Sequence, residues 1–288
     1  MTTLGPPWEA FQDVIARAVA EDMPAGDPTG RSVGPRPARA RVVARQPGIL
    51  CGLVAAPLVL EHVAAQLGTG AARVEPDASD GTAVVPGVAL ARLDGPADSL
   101  LAAERTLLNI ACHLSGVATA TAALVAAVAG TGAVVRDTRK TLPGLRELEK
   151  YAVRCGGGAN HRMSLSDAVL VKDNHVAALG GVAAAVATAR RVGAEADLPV
   201  EVEVDDLDEL DEALGAGANL VMLDNMSLGD MAEAVRRARR HGAEVEASGG
   251  VTLATSRAVA ETGVHYIAVG ALTHSAAALD IGLDWEIH

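Results

Sequence analysis

Lysine is nearly absent from this chain. Of its 24 basic residues only Lys140, Lys150 and Lys172 are lysines, and all three lie in one short stretch. Elsewhere every cation is an arginine, as in "ARRVG" and "VRRARRHG". Aromatic residues make up 2% of the chain, so its core must be built from Ala, Val and Leu, which suits close helix-on-sheet packing. Cysteines number three, Cys51, Cys112 and Cys155, scattered and without a CxxC spacing, so neither a disulfide framework nor a zinc site is supported. Positive charge is in deficit, with a net of −12. That argues against nucleic acid as a partner, which calls for a broad basic surface and usually stacking aromatics. The Ala-rich run from Leu114 to Ala129 is interrupted by Ser, Thr and Gly and falls short of a membrane span. "MTTLGPPWEA" lacks a basic region followed by an apolar one and does not read as a signal peptide. A cytoplasmic protein with no membrane partner is expected, and any anion site in it must be local.

From about residue 115 a rhythm of short β-branched runs sets in: "GAVVRD", "DAVLVKD", "VEVEVDD", "NLVMLDN", "EVEASGG" and "YIAVGA". Segments with helical spacing separate several of them, at Val176 to Val192, Ser227 to His241 and Leu253 to Thr262. This is βα repetition and predicts a parallel sheet buried on both faces. Every run ends in charged, Gly or small polar residues, which favours a barrel whose site gathers at the carboxyl ends of the strands. That rule brings together Asp137, Arg139, Lys140, Lys172, Glu203, Asp224, Ser248 and Gly270. The first hundred residues instead alternate apolar with polar, as in "ARARVVARQPGILCGL", and predict an antiparallel sheet faced by helices at Trp8 to Glu21 and Ala56 to Leu67. A long helical pattern from Pro96 leads onward, with a break expected near Ser115 and Gly116. The resulting division is 1–115, 116–275 and a C-terminal segment 276–288 that returns to the N-terminal domain.

"DTRKT" at 137–141 sets a lysine beside an arginine, a compact point charge beside a planar fork. A site with both could hold a diphosphate and a dicarboxylate side by side; the bland alternative leaves Lys140 and Lys150 solvated and Lys172 an ordinary surface residue. "YAVRCGGGANHR" delivers His161 and Arg162 behind three glycines that match no dinucleotide-binding spacing. No base and orienting partner can be assigned to Cys155, which therefore reads as structural. Glu201 and Glu203 alternate on "VEVEV" and share one strand face. Glu203 and Asp224 suit Mg²⁺ or ribose hydroxyls, or else an ion pair with Lys172. "SGG" at 248–250 and "VGA" at 269–271 place small residues at the last two βα junctions, where backbone N–H groups can approach a phosphate.

Long ordered segments, among them "AERTLLNIACHLSGVAT", "GTGAVVRDTRKTLPGLRELEKYAVRCGGGANHR", "DAVLVKDNH", "VMLDNM", "EASGG" and "VGALTHSAAALDIGLD", resemble the quinolinate phosphoribosyltransferase family over nearly the whole chain. The resemblance implies an N-terminal α/β sandwich domain plus an incomplete α/β barrel of about seven strands. It implies quinolinate and phosphoribosyl pyrophosphate as substrates and Mg²⁺ as cofactor. It also implies a homodimer with shared sites, open to assembly of dimers into a hexamer. Arg139, His161 and Arg162, with Arg105 of the neighbouring subunit, would hold the two carboxylates, and Lys140 and Lys172 the carboxylate or pyrophosphate side. Glu203 and Asp224 would hold the metal, with Glu201 as the alternative to Glu203. Ser248, Gly249, Gly250, Val269, Gly270 and Ala271 would hold the 5'-phosphate, and Thr138 and His274 complete the substrate-binding set. Competing readings are a molybdenum-transport-associated paralogue, a phosphosugar isomerase or synthase barrel, and a ligand-binding regulator without turnover.

Overall fold

The structure is a computed structural model that describes residues 5–286. The "MTTL" start and the last two residues of the "WEIH" tail therefore lie outside the described residues. In chain order the elements are α1 (Trp8–Asp22), α2 (Pro28–Val33), β1 (Pro37–Ala44), β2 (Gly48–Ile49), a 3₁₀ turn (Leu53–Ala55), α3 (Ala56–Leu67), β3 (Arg73–Pro76), β4 (Ala83–Val84), β5 (Ala89–Pro96) and α4 (Ala97–Ala127). There follow β6 (Val134–Arg136), α5 (Arg146–Cys155), β7 (Val169–Val171), α6 (Asp173–Leu179), α7 (Val182–Ala196), β8 (Val200–Val204), α8 (Leu207–Gly215) and β9 (Leu220–Asp224). The chain ends with α9 (Leu228–His241), β10 (Glu244–Ser248), α10 (Leu253–Glu261), β11 (Tyr266–Ala268), α11 (Ala271–His274) and β12 (Ile281–Glu286).

Two compact units result. The first takes in Met1–Ala122, Thr141–Gly157 and Leu272–His288, the second Ala123–Lys140 and Gly158–Ala271. In the first unit an antiparallel sheet runs β12-β1-β5-β3, so the C-terminal strand pairs with β1. Its period-two alternation is literal: Ala40 and Val42 are buried while Arg39 and Arg41 face out. Helix α1 buries Phe11, Ile15 and Val19, a four-residue spacing that lines one face. Within α4, Leu100, Leu107 and Leu114 are buried one heptad apart, each side chain contributing roughly 1.5–3 kcal/mol.

Helix α4 corrects the expected break at Ser115 and Gly116, because it runs unbroken for 31 residues. Ser115 accepts the Cys51 N–H at 2.8 Å and returns its own O–H to the Cys51 carbonyl at 3.0 Å, so its hydroxyl is spent on a neighbouring loop rather than on unwinding the helix. Gly116 is there for space: a Cβ would meet the Ala277 carbonyl oxygen at 2.2 Å. By length and composition alone the same helix would reach across a bilayer, so the interruptions read into Leu114–Ala129 are not interruptions of structure. Its buried Leu and Ala positions are those of a core helix.

The second unit holds a parallel sheet in the order β6-β11-β10-β9-β8-β7, with helices between successive strands. All six expected runs are strands. About seven were expected, and the remainder is a single parallel bridge of Ala159 to Arg136 beyond β6. Among the described residues no pairing joins β6 to β7. The helix expected over Val176 to Val192 is two, because Gly180 and Gly181 adopt φ of 84° and 129° and bend the chain by 99° between α6 and α7.

Candidate active site

A cavity of about 350 Å³ opens at the carboxyl ends of the parallel strands. Thr138, Arg139 and Lys140 line it from behind β6, and His161 and Arg162 from behind the Ala159 bridge. Leu170 and Lys172 come from β7 and its end, Glu203 from β8, Met222 and Asp224 from β9, Ser248 from β10 and Ala268 from β11. Each strand delivers its last residues because a parallel sheet points all its carboxyl ends one way. The four permanent cations Arg139, Lys140, Arg162 and Lys172 thus converge in a chain whose net charge is −12.

The electrostatics of the cavity favour a polyanion. Burial first, and the positive charge of Arg139 second, hold the Arg162 guanidinium below its ordinary pKa. Two guanidinium groups kept close enough to repel are relieved by an anion between them. Arg162 is held in place by donating to the Ala168 carbonyl at 2.9 Å, while the buried Nε of Arg139 has no hydrogen-bond partner among the described residues. Lys140 follows a tight turn in which its N–H donates to Thr138 Oγ1 at 3.0 Å.

Behind the cavity lies a buried polar layer in which sequence reasoning left Arg136 and Glu246 unassigned, and which takes His161 and Glu201 away from the ligand-holding roles expected of them. Asp137, fully buried, accepts the His161 N–H at 2.9 Å and the Asn160 side-chain amide at 2.5 Å, so the first residue of "DTRKT" anchors the "NHR" segment. The His161 ring is engaged on both sides: Nδ1 accepts the Arg162 N–H at 2.7 Å, and Nε2 faces Glu201 at 2.9 Å and Glu246 at 3.5 Å. Nε2 therefore carries the proton, and the ring acts as a strut. Arg136 donates to Glu246 at 2.9 Å and lies over the Tyr266 ring at 3.3 Å. Burial pushes the Glu246 carboxyl up to about 7, the adjacent Glu201 carboxylate adds to this, and His161 and Arg136 oppose it. Glu246 sits two residues before Ser248 on "EVEAS", and its alternation with the strand was the one signal available.

Glu201 and Glu203 do not share one environment: Glu201 is buried against His161, whereas Glu203 reaches the cavity and pairs with Lys172. Asp224 is steadied by the Asn225 amide at 2.7 Å. Glu203 and Asp224 are two carboxylates at one cavity, with no third donor grouped with them among the described residues. That set fits an ion such as Mg²⁺, which takes one or two carboxylates and brings the rest of its shell with water and substrate phosphates. Gly249 and Gly250 directly follow the lining Ser248, with φ of 88° and 60°. A Cβ on Gly249 would meet Asn225 Oδ1 at 2.2 Å. Val269 is buried and donates its N–H to the Arg136 carbonyl at 2.9 Å, and Gly270 and Ala271 lead into α11. None of these last five lines the cavity. Arg105, exposed on α4, and His274, exposed at the end of α11, belong to the first unit. Lys150 is not solvated: it is fully buried on α5.

A parallel α/β unit with a cation-lined cavity at its strand ends, accompanied by an antiparallel α/β unit, defines the class: an α/β protein with a cavity whose charge suits polyanionic small molecules. The family model of the quinolinate phosphoribosyl transferase N-terminal domain matches residues 27–115, and that of the C-terminal domain residues 117–284. The nicotinate-nucleotide pyrophosphorylase [carboxylating] of Mycobacterium leprae is 47% identical over 282 residues, spanning 96% of this chain and 98% of that protein. The probable enzyme of the same name from Bacillus subtilis is 40% identical over 92% of this chain and 89% of its own. The structure of the nicotinate-nucleotide pyrophosphorylase from Francisella tularensis superposes with a TM-score of 0.91 at 38% identity, covering 99% of both chains. The chain belongs to the quinolinate phosphoribosyltransferase family.

Proposed function

We propose that the protein joins the ring nitrogen of quinolinate to C1 of phosphoribosyl pyrophosphate, releasing pyrophosphate and CO₂ and forming nicotinate mononucleotide for de novo NAD synthesis. The observation that carries this reading is the convergence of Arg139, Lys140, Arg162 and Lys172 on one cavity that also presents Glu203 and Asp224. Both substrates are polyanions, and that is where their charges can be matched.

Arg139 and Arg162 are suited to the two carboxylates, each offering a planar fork. His161 fixes Arg162 through its backbone, and Asp137 fixes His161. Lys140 and Lys172 neutralise the pyrophosphate as the bond from C1 to its oxygen breaks. Ser248, Gly249 and Gly250 with Gly270 and Ala271 cradle the 5'-phosphate. Glu203 and Asp224 would hold Mg²⁺ and the ribose hydroxyls, and a bound metal there would supply charge neutralisation of the leaving group. Holding two anions at near-attack distance is worth up to roughly 7–11 kcal/mol, and stabilising an oxocarbenium-like ribose is an electrostatic task. Once the ring nitrogen is alkylated it bears positive charge and accepts the electron pair of the adjacent C–CO₂ bond. CO₂ then leaves and a proton fills its place. Arg105 completes the carboxylate site from a second copy of the chain, in a homodimer of the cytoplasm.

The test follows quinolinate loss and nicotinate mononucleotide formation with and without Mg²⁺. Magnesium-dependent product is expected. Nicotinate in place of quinolinate should be used poorly, because half of the carboxylate site is then unpaired; comparable efficiency would move the protein to another phosphoribosyltransferase activity.

A further inference from the structure

Cys51 and Cys155, 104 positions apart, are brought together in the first unit beside Asp80, with the two sulfurs and one carboxylate oxygen all within 4.8 Å of one another. Both cysteines are free thiols, Cys51 fully buried and Cys155 half-buried. Helix α4 fixes them from one side. Ser115 bonds to both the N–H and the carbonyl of Cys51, and Gly156, directly after Cys155, packs so tightly that a Cβ there would lie 2.3 Å from the Ala118 carbonyl oxygen. Asp80 Oδ2 accepts from the Gly52 N–H at 2.7 Å and from the Tyr151 hydroxyl at 3.0 Å, while its other oxygen is buried with no hydrogen-bond partner among the described residues. One carboxylate oxygen of Asp80 is thus held within reach of two thiols. Nothing in the reaction proposed above uses this cluster.

We infer that Cys155 and Cys51 form a peroxide-reactive thiol pair that closes to an intramolecular disulfide, with Cys155 as the attacking sulfur and Cys51 as the resolving one. The two differ in the required sense. The Cys51 thiol holds Cys155 below its ordinary range, aided by Tyr151 and Arg154 and opposed by burial and the Asp80 charge, whereas burial pushes Cys51 well up. Cys155 passes its proton to Asp80, and its thiolate attacks one oxygen of a hydroperoxide. The O–O bond breaks, the alcohol or water leaves with a proton, and Cys155 becomes a sulfenic acid. Cys51 sulfur then attacks Cys155 sulfur, the S–O bond breaks, and the oxygen departs as water with the Cys51 proton. Two thiols are oxidised by two electrons, and one hydroperoxide is reduced. The product staples the end of α5, just ahead of the glycines that lead to His161 and Arg162, to the turn after β2.

The experiment treats the full chain with hydrogen peroxide, alkylates the remaining thiols and maps all three cysteines by mass spectrometry. A Cys51–Cys155 cross-link lacking two hydrogens and reversed by dithiothreitol is expected, with Cys112 alkylated. Cys155 should react at least about tenfold faster than Cys112, whose thiol is pushed up by burial. In Cys51→Ser, Cys155 should stop at a sulfenic acid that dimedone traps, and in Cys155→Ser, Cys51 should stay reduced. Should either variant fail to fold, the map of the unaltered chain decides alone. Sulfinic acid on Cys155 with Cys51 still alkylated, disulfides between chains, or two thiols that stay reduced because they retain added Zn²⁺ would each overturn the inference.

Discussion

Lys140 and Glu246 carry the residue-scale arguments. Lys140 follows a turn closed on Thr138, and its ammonium is a point charge on a flexible stem, whereas arginine would bring a broad fork. Lys140→Arg should lower kcat by at least tenfold while leaving the fold intact; a normal rate would remove the special role given to lysine. Glu246 makes a pH prediction. Its folded-state pKa of about 7 lies above the ordinary 4.5, so the folded protein binds more protons than the unfolded chain between those values. Stability should fall as pH rises through that window and level off above it, by up to about 3 kcal/mol for this group. Glu246→Gln should flatten the curve of unfolding free energy against pH from 5 to 8, at the expense of the Arg136 ion pair; an unchanged slope would assign the titration elsewhere. Sequence reasoning placed Asp137 at the strand ends without a partner and missed Glu246 altogether, because a buried carboxylate gives no pattern of its own until its partners are placed.

At the scale of single elements, close approach overrides propensity. In helix α4, alanine is intrinsically the better residue at 116 by about 1 kcal/mol, yet its Cβ would collide with the Ala277 carbonyl. Gly116→Ala should therefore destabilise by about 1–3 kcal/mol in denaturant unfolding, and a stabilised variant would mean the α4 contact yields. Gly249→Ala meets both a φ of 88° and the Asn225 side chain, and it should raise KM for phosphoribosyl pyrophosphate by tenfold or more if the loop after β10 holds phosphate. The strand rhythm of the second unit was legible, since all six runs read from their β-branched pattern are strands. The unbroken α4 and the bend at Gly180 and Gly181 were not, because a glycine needed for packing and a glycine needed for its φ look alike in sequence.

At the scale of the whole molecule, the charge distribution sets the terms. Four cations gather at one cavity in a chain whose net charge is −12, so the local field there opposes the global one. Arg105 is exposed on α4. Mixing Arg105→Ala with Lys140→Ala chains, each inactive alone, should restore part of the activity if sites are shared between subunits; no recovery would count against the donation of Arg105 across a dimer.

The sequence alone determined the mixed α/β class, the six parallel strands and the gathering of cations at their carboxyl ends, because strand period and the carboxyl-end rule need no coordinates. Its ordered motifs also pointed to the family. Tertiary structure alone decided which carboxylate faces the cavity. Glu201 and Glu203 are equivalent by period, but only one lies opposite His161, and the other reaches Lys172. It alone also brought Cys51 to Cys155, since a contact across 104 residues depends on what α4 packs against and leaves no trace in the spacing.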